Sequence, residues 1–165
     1  MKKIDKKEQI KILKILLILV WMIIVFMFSA QKGEESGNTS GRFTELIVHI
    51  LTGKSVDSNS STIQILETII RKLAHYSIYT IGGFLVMNYA YTTNKTIKEK
   101  ILYSICFGGS YAITDELHQF FVPDRSARLF DVGIDTLGVI TGVLIYLILR
   151  KCLEKIIHKH RMKFV

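Results

Sequence analysis

Acidic, basic and imidazole side chains recur at steps of three and four residues in the apolar stretches of this 165-residue chain. Such steps place side chains on one face of an α-helix. An ionised side chain in a hydrocarbon core costs at least ~2.5–3.5 kcal/mol, so these groups must pair with one another or line a hydrated pocket. The predicted site residues are Arg71, Lys72, His75, Tyr79, Asp115, Glu116, His118, Gln119, Arg125, Asp131 and Asp135.

Two histidines in this set indicate acid–base chemistry. Imidazole titrates near neutral pH, so His75 and His118 can serve as general base and general acid. Asp115 or Asp131 would orient them and tune their charge, and Glu116 joins Asp115 in the predicted catalytic set. Guanidinium groups offer a bidentate fork that suits phosphate or carboxylate. The predicted substrate-binding set is Arg71, Lys72, Tyr79, Gln119, Arg125, Asp131 and Asp135.

A metal site is a weaker interpretation of the same side chains. Asp115 and His118 stand three residues apart and could share a zinc or manganese ion with His75 and Glu116. The sequence has no His-Glu-x-x-His pattern, however, and the basic pair before His75 would compete for the carboxylates. The sequence therefore predicts neither a metal nor a cofactor.

Several functional classes stay open from the residues alone. The cluster could bind a ligand without turnover, catalyse a reaction, or relay protons or a solute across the membrane. A relay is disfavoured because the inner parts of two helices, Phe84–Met87 and Val143–Leu149, are apolar. A purely structural set of ion pairs is the remaining alternative, although one or two pairs would suffice to lock a bundle.

Four apolar stretches must position these side chains. A helix that crosses the hydrocarbon core needs ~20 residues, and the stretches lack the period-two polarity of barrel strands. Removal of the first stretch as a signal peptide is disfavoured, because a cut after Ala30 would put bulky Phe28 where a small residue is needed. The sequence predicts an all-α integral membrane bundle, a single domain over residues 1–165, with four transmembrane helices at 12–30, 73–91, 101–120 and 132–149.

Lysine and arginine set the predicted orientation. Cytoplasmic loops carry an excess of these residues. They are concentrated in the N-terminal tail, the second connection and the C-terminal tail, at Lys2, Lys3, Lys6, Lys7, Lys11, Lys14, Lys95, Lys98, Lys100, Arg150, Lys151, Lys155, Lys159, Arg161 and Lys163. Four crossings put these three regions on one side. We therefore predict a multi-pass protein of the inner (cytoplasmic) membrane with both termini cytoplasmic and the polar site facing outward.

The first outer loop is predicted to hold two short amphipathic helices within residues 42–72. Apolar side chains recur there at helical spacing, namely Phe43, Leu46, Ile47, Ile50 and Leu51, then Ile63, Leu66, Ile70 and Leu73. A polar turn over 54–61 separates the two segments, and the second runs into the next membrane helix. The stretch Gly33–Gly41 is predicted to be a flexible link.

Composition supports a membrane protein and excludes other classes. Hydrophobic residues make up 49% of the chain and charged residues 22%, which is too apolar for an ordinary soluble surface. The formal net charge is +8, but the basic residues flank apolar stretches rather than alternating with aromatic ones, so we expect no nucleic-acid partner. Cys106 and Cys152 fit no zinc or disulfide spacing.

Four blocks of residues occur in a fixed order. They are Phe28-Ser-Ala-Gln31, Arg71-Lys-x-x-His75-Tyr-x-x-Tyr79, Asp115-Glu-x-His118-Gln-x-Phe-x-Pro123-x-Arg125, and Asp131-Val-x-x-Asp-Thr-Leu-Gly138 followed by Gly142. Together the blocks resemble the VanZ-like family of small bacterial membrane proteins. Asp135 departs from the family, which usually carries an amide there, and Asp124 stands where glycine is common. The added charge of Asp135 requires a basic or protonated partner.

This resemblance implies a role in the bacterial cell envelope, since the founding members are linked to resistance against teicoplanin and related lipoglycopeptides. The partners it implies are membrane lipids and a lipid-linked cell-wall precursor or the lipoglycopeptide itself. We therefore predict a membrane protein that binds or shields such a component at an outward-facing polar site. The alternative is a membrane enzyme that modifies a lipid-linked or cell-wall substrate by histidine and carboxylate acid–base chemistry.

Overall fold

The computed structural model describes residues 5–31, 33–53, 61–123, 125 and 128–161. All secondary structure in these ranges is helical, which confirms the all-α prediction. The elements are α1 (Lys6–Ser29), α2 (Gly33–Thr52), α3 (Ser61–Ala90), α4 (Ile97–Phe120) and α5 (Leu129–Arg161). Each of the four predicted transmembrane stretches overlaps one of the helices α1, α3, α4 and α5.

The segment before the second predicted crossing differs from the sequence prediction. Helix α2 begins at Gly33 and continues through Gly41, so the prediction of a flexible link is wrong. Glycine has a low helix propensity, but α2 lies close to α3 at Gly41, where a β-carbon would be 3.2 Å from the carboxylate of Glu67. The second predicted amphipathic segment forms the first part of α3, a single helix of 30 residues. The predicted polar turn lies outside the described residues except for Ser61.

Helices α3 and α5 approach each other backbone to backbone. A β-carbon on Gly142 of α5 would overlap the carbonyl oxygen of Thr80, and one on Gly83 of α3 would overlap the carbonyl oxygen of Val139. Helices can pack this closely only where small residues face the contact. The glycines therefore bring the polar faces of α3 and α5 together.

Trp21 anchors α1 to the rest of the bundle. Its side chain is 3% exposed, and its Nε1 donates a hydrogen bond to the carbonyl oxygen of Ile78 at 2.8 Å. The ring meets Tyr79 edge to face, with centroids 5.8 Å apart. From α4, the Tyr111 hydroxyl donates to the carbonyl oxygen of Met22 at 2.6 Å. Aromatic side chains thus fill the interior while their polar ends find partners.

The bundle buries polar side chains and exposes apolar ones. In α4, Asp115 and Glu116 are each 5% exposed, whereas Leu102, Ile113 and Leu117 are 57–64% exposed. A large apolar surface of this kind marks contact with lipid or another apolar partner. The acids, in contrast, face α3 and α5, where the other members of the predicted site lie.

Two helices are long and apolar enough to cross a membrane by themselves, Lys6–Ser29 and Leu129–Lys159. Polar side chains within α3 and α4 lower the mean hydropathy of those helices. Length and composition therefore identify two candidate spans in the described chain, and they do not clearly identify four.

Replacing Gly142 by alanine is expected to destabilise the bundle by about 2 kcal/mol or more, because the new methyl group must push α3 away from α5. Gly133, on the same helix, is the matched control, since its β-carbon would meet nothing within 4 Å. Gly133→Ala is expected to leave stability unchanged or to raise it slightly, because alanine favours helix. Thermal unfolding in detergent, followed by circular dichroism, measures both. Equal midpoints for the two variants would contradict the close interface.

Candidate functional site

A polar cavity of about 110 Å³ opens between α3, α4, α5 and the connection that precedes α5. Most of the predicted site residues line it, although they are spread over more than 60 positions of sequence. Those that line the cavity are Arg71, Lys72, His75, Glu116, Gln119, Arg125, Asp131 and Asp135. The structure therefore brings these side chains together around one space.

The positive charge of Lys72 is balanced by an acidic side chain that also lines the cavity. Its ammonium group forms an ion pair with the carboxylate of Asp131, and the two side chains are 26% and 30% exposed. The same ammonium group lies 5.2 Å from the centroid of the Phe130 ring. The pair connects α3 to the first turn of α5, where an acidic side chain is also favoured by the helix dipole.

Glu116 fastens the connection to α4. Its carboxylate accepts a hydrogen bond from the backbone N–H of Arg128. Arg128 immediately precedes α5, and its side chain lines the cavity. A buried carboxylate therefore holds the start of α5 against the outer end of α4, and the Arg128 guanidinium is left on the cavity side.

Arg125 ties the same connection to the end of α1. Its Nε donates to the carbonyl oxygen of Gln31 at 3.1 Å, and its Nη2 donates to that of Phe28 at 3.2 Å. Carbonyl groups at the end of a helix lack intrahelical partners, so a guanidinium is a favourable cap. Burial, and after it the neighbouring Arg71 guanidinium, lowers the pKa of Arg125. The cavity thus holds two arginines that repel each other.

Two carboxylates and one imidazole converge where His75 and Asp135 line the polar cavity. His75, Asp115 and Asp135 come from α3, α4 and α5, and one ligating atom of each lies within 4.8 Å of the others. The Nδ1 atom of His75 is 3.8 Å from Oδ2 of Asp135, and Gln119 Nε2 donates to Oδ2 of Asp115 at 3.4 Å. The other carboxylate oxygen of Asp135 is buried and has no hydrogen-bond partner in the described part of the chain.

His118 and Tyr79 lie away from the cavity. The His118 ring packs against Phe26 of α1, with centroids 4.7 Å apart, and its buried Nε2 finds no hydrogen-bond partner among the residues described. Tyr79 is fully buried beside Trp21. The structure therefore does not place His118 opposite His75, as a two-histidine acid–base mechanism would require.

A second, apolar cavity of about 230 Å³ adjoins the polar one. Side chains from α1, α2 and α3 surround it, and Arg71, His75 and Arg125 line both cavities. Sequence reasoning missed this space. Its only sequence signal was the short block after residue 28, whose Phe28 and Gln31 now line the apolar cavity.

Sequence reasoning also left Thr68 outside the predicted set. Thr68 lines the polar cavity, and its place one turn before Lys72 on the same face of α3 was a usable signal. Ser29, also unassigned, is fully buried, and its hydroxyl lies 3.5 Å from the carbonyl oxygen of Asp115. It joins the end of α1 to the acidic turn of α4.

A family model described as VanZ/LLP1 matches residues 14–150. The chain belongs to the VanZ/LLP1 family. This confirms the resemblance seen in the sequence, and the matched range includes every residue that lines the two cavities. Two apolar helices and this family are consistent with a membrane protein. Comparisons with curated proteins and with solved structures find no match.

In this member of the VanZ/LLP1 family, the Lys72–Asp131 pair should be stronger than a pair in full contact with water. A double-mutant cycle with Lys72→Met and Asp131→Asn is expected to give a coupling energy of about 1 kcal/mol. The exposed pair Arg150–Glu154, one turn apart on α5, is the control, with about 0.3–0.5 kcal/mol expected. Unfolding of the four variants of each cycle measures both values. No coupling between Lys72 and Asp131 would contradict the pairing.

Proposed function

We propose that this protein binds the anionic headgroup of a lipid-linked cell-envelope component in the polar cavity, with the hydrocarbon chain in the apolar cavity. The observation that carries the proposal is the junction of the two cavities at Arg71, His75 and Arg125. A ligand that fills both spaces must be amphiphilic, with an anionic end beside the arginines and an apolar end toward α1 and α2.

Charge supports an anion in the polar cavity. Lys72 already has a carboxylate partner, but the hydrogen bonds of Arg125 go to neutral carbonyl oxygens. Arg71 and Arg128 line the same space. A phosphate or carboxylate would relieve repulsion between these guanidinium groups and accept their paired N–H donors.

The apolar cavity supports a lipid rather than a free anion. It is formed mainly by side chains such as Val25, Phe28, Ile70 and Ile78, which offer no hydrogen bonds to a polar ligand. Burial of a hydrocarbon chain there removes apolar surface from water, which stabilises the complex by about 25 cal/mol for each Å². Lipid-linked cell-wall precursors combine such a chain with an anionic linkage.

The membrane setting is part of the same proposal. We propose four crossings by α1, α3, α4 and α5, since α4 turns apolar side chains outward and acids inward, as a helix within lipid must. The polar cavity then lies in the outer leaflet, and the lysine-rich termini lie in the cytoplasm. In this position the protein would hold or shield a wall precursor and contribute to teicoplanin resistance.

A membrane enzyme is the second candidate. His75 lies beside the carboxylate of Asp135 at 3.8 Å and lines the polar cavity. This arrangement allows one imidazole to move a proton at a bound headgroup. Catalysis by two histidines has no support, because His118 packs against Phe26.

The orientation is tested with single cysteines in a Cys106→Ser, Cys152→Ser background. Pro123→Cys is expected to react with a membrane-impermeant maleimide in intact spheroplasts, since the connection before α5 faces outward. Asn94→Cys, in the connection between α3 and α4, is expected to react only after lysis. Mass spectrometry measures the labelled fraction. Equal labelling of both sites before lysis, or the reverse pattern, would contradict the proposed topology.

Headgroup binding is tested with the purified full chain in detergent and three probes, a polyprenyl phosphate, the matching neutral polyprenol and inorganic phosphate. The phosphate lipid is expected to bind best, and Arg71→Gln is expected to weaken it about tenfold, since charge-assisted hydrogen bonds contribute about 1.5–3 kcal/mol. Arg71→Lys keeps the positive charge but loses the bidentate hydrogen-bond geometry of a guanidinium. Its affinity for the phosphate lipid should lie between those of the natural chain and Arg71→Gln. Native mass spectrometry measures occupancy.

Lys98→Gln is the control, because this exposed lysine lies at the opposite end of α4 from the cavity. Equal binding of the neutral polyprenol, or full binding by Arg71→Gln, would contradict the proposal. Chromatography of the lipid after incubation separates the two candidates, since an altered lipid indicates an enzyme and an unaltered one indicates a binder. If binding contributes to resistance, Arg71→Gln should also lower the inhibitory concentration of teicoplanin.

A further inference from the structure

We infer that His75, Asp115 and Asp135 form a binding site for one divalent transition-metal cation, held between α3, α4 and α5. The sequence prediction of no metal rested on the missing His-Glu-x-x-His pattern and on competition from Arg71 and Lys72. The structure removes the competition from Lys72, because that side chain is paired with Asp131. The possible ligand set also differs from the one considered from the sequence, because Asp135 takes the place of Glu116 and His118.

Geometry is the first support for this site. The three side chains come from three different helices, and their ligating atoms all lie within 4.8 Å of one another. Donor atoms around zinc lie about 2.0–2.2 Å from the ion, and hence about 3–4 Å from each other. The His75 and Asp135 atoms, 3.8 Å apart, already meet that spacing. Asp115 contributes the third donor atom, which lies within 4.8 Å of the other two.

Charge is the second support. Two carboxylates, 5% and 2% exposed, converge with one imidazole. In the part of the chain that is described, the ion pairs of lysine and arginine involve neither Asp115 nor Asp135. The guanidinium of Arg125 donates to backbone carbonyl oxygens instead. His75 can balance at most one of these two negative charges, whereas a divalent cation would balance both.

An unpartnered polar atom is the third support. Oδ1 of Asp135 is buried without a hydrogen-bond partner among the described residues. Leaving such an atom buried without a partner destabilises the fold. A cation bound between the carboxylates would engage Asp135 Oδ1 directly.

The donor set selects the kind of ion. One imidazole nitrogen and two carboxylate oxygens suit Zn²⁺ or Mn²⁺, whereas Ca²⁺ and Mg²⁺ prefer oxygen donors only. His75 and Asp135 also line the polar cavity, so the ion would have one side toward that space. The metal site does not depend on the proposed lipid, because its residues meet whether or not a headgroup is bound.

Metal binding is tested on the full chain purified in detergent without a polyhistidine tag. After chelator treatment, equilibrium dialysis against Zn²⁺ or Mn²⁺ with metal analysis by mass spectrometry is expected to give about one tightly held ion per chain. Asp115→Asn and Asp135→Asn preserve side-chain shape but remove a charged ligand. Each is expected to weaken binding by at least about tenfold, since even loss of an outer partner of a ligand costs ~10–100-fold.

Glu154→Gln is the matched control, because this exposed carboxylate lies near the opposite end of α5 and pairs with Arg150. It should bind metal as the natural chain does. The double variant Asp115→Asn, Asp135→Asn lacks both carboxylate ligands. It therefore measures how much metal the histidines and cysteines of the chain bind without this site. No saturable binding by the natural chain would overturn the inference. Binding by the double variant equal to that of the natural chain would also overturn it. Circular dichroism confirms that each variant is folded.

Discussion

The cost of placing ionised side chains inside an apolar helical bundle governs this structure. Asp115 and Asp135 are nearly inaccessible to solvent, and each must be neutralised or paired inside the protein. Three helices converge so that these acids meet His75, while the nearby lysine is taken by Asp131. The polar cavity, the connection that closes it and the unusual burial pattern of α4 all follow from the need to keep these charges away from the apolar surface.

Close packing of α3 and α5 makes that convergence possible. Glycines at 83 and 142 let backbone meet backbone, so the side chains of His75 and Asp135 can reach each other across the interface. Farther along the same interface the contacts become apolar, through Val86, Met87 and Val143. The packing of α3 and α5 thus changes along the interface. At one end the contacts are tight and apolar and hold the helices in register, so the other end can accommodate a polar cavity.

Arg125 links the polar region to α1 and to the apolar cavity. By capping the carbonyl groups at the end of α1, it holds the connection before α5 in place without using its charge on an acid. Its guanidinium can therefore stabilise the fold and also bind an anion. The two cavities share this arginine, Arg71 and His75, and this junction is the basis for proposing an amphiphilic ligand. Membership of the VanZ/LLP1 family is consistent with a membrane protein.

The sequence by itself determined the helical class and most of the residues that line the polar cavity, because helical spacing and apolar stretches are local properties of the chain. Its four blocks of residues identified the family. It did not determine which charges pair, because spacing defines a face of each helix but not how that face is rotated toward its neighbours. Only the tertiary structure decided that Lys72 meets Asp131, that Asp135 joins His75, and that His118 packs against α1. Only the tertiary structure likewise showed that Gly33–Gly41 is helical despite the low helix propensity of glycine, and Gly41 lies there against Glu67 of α3.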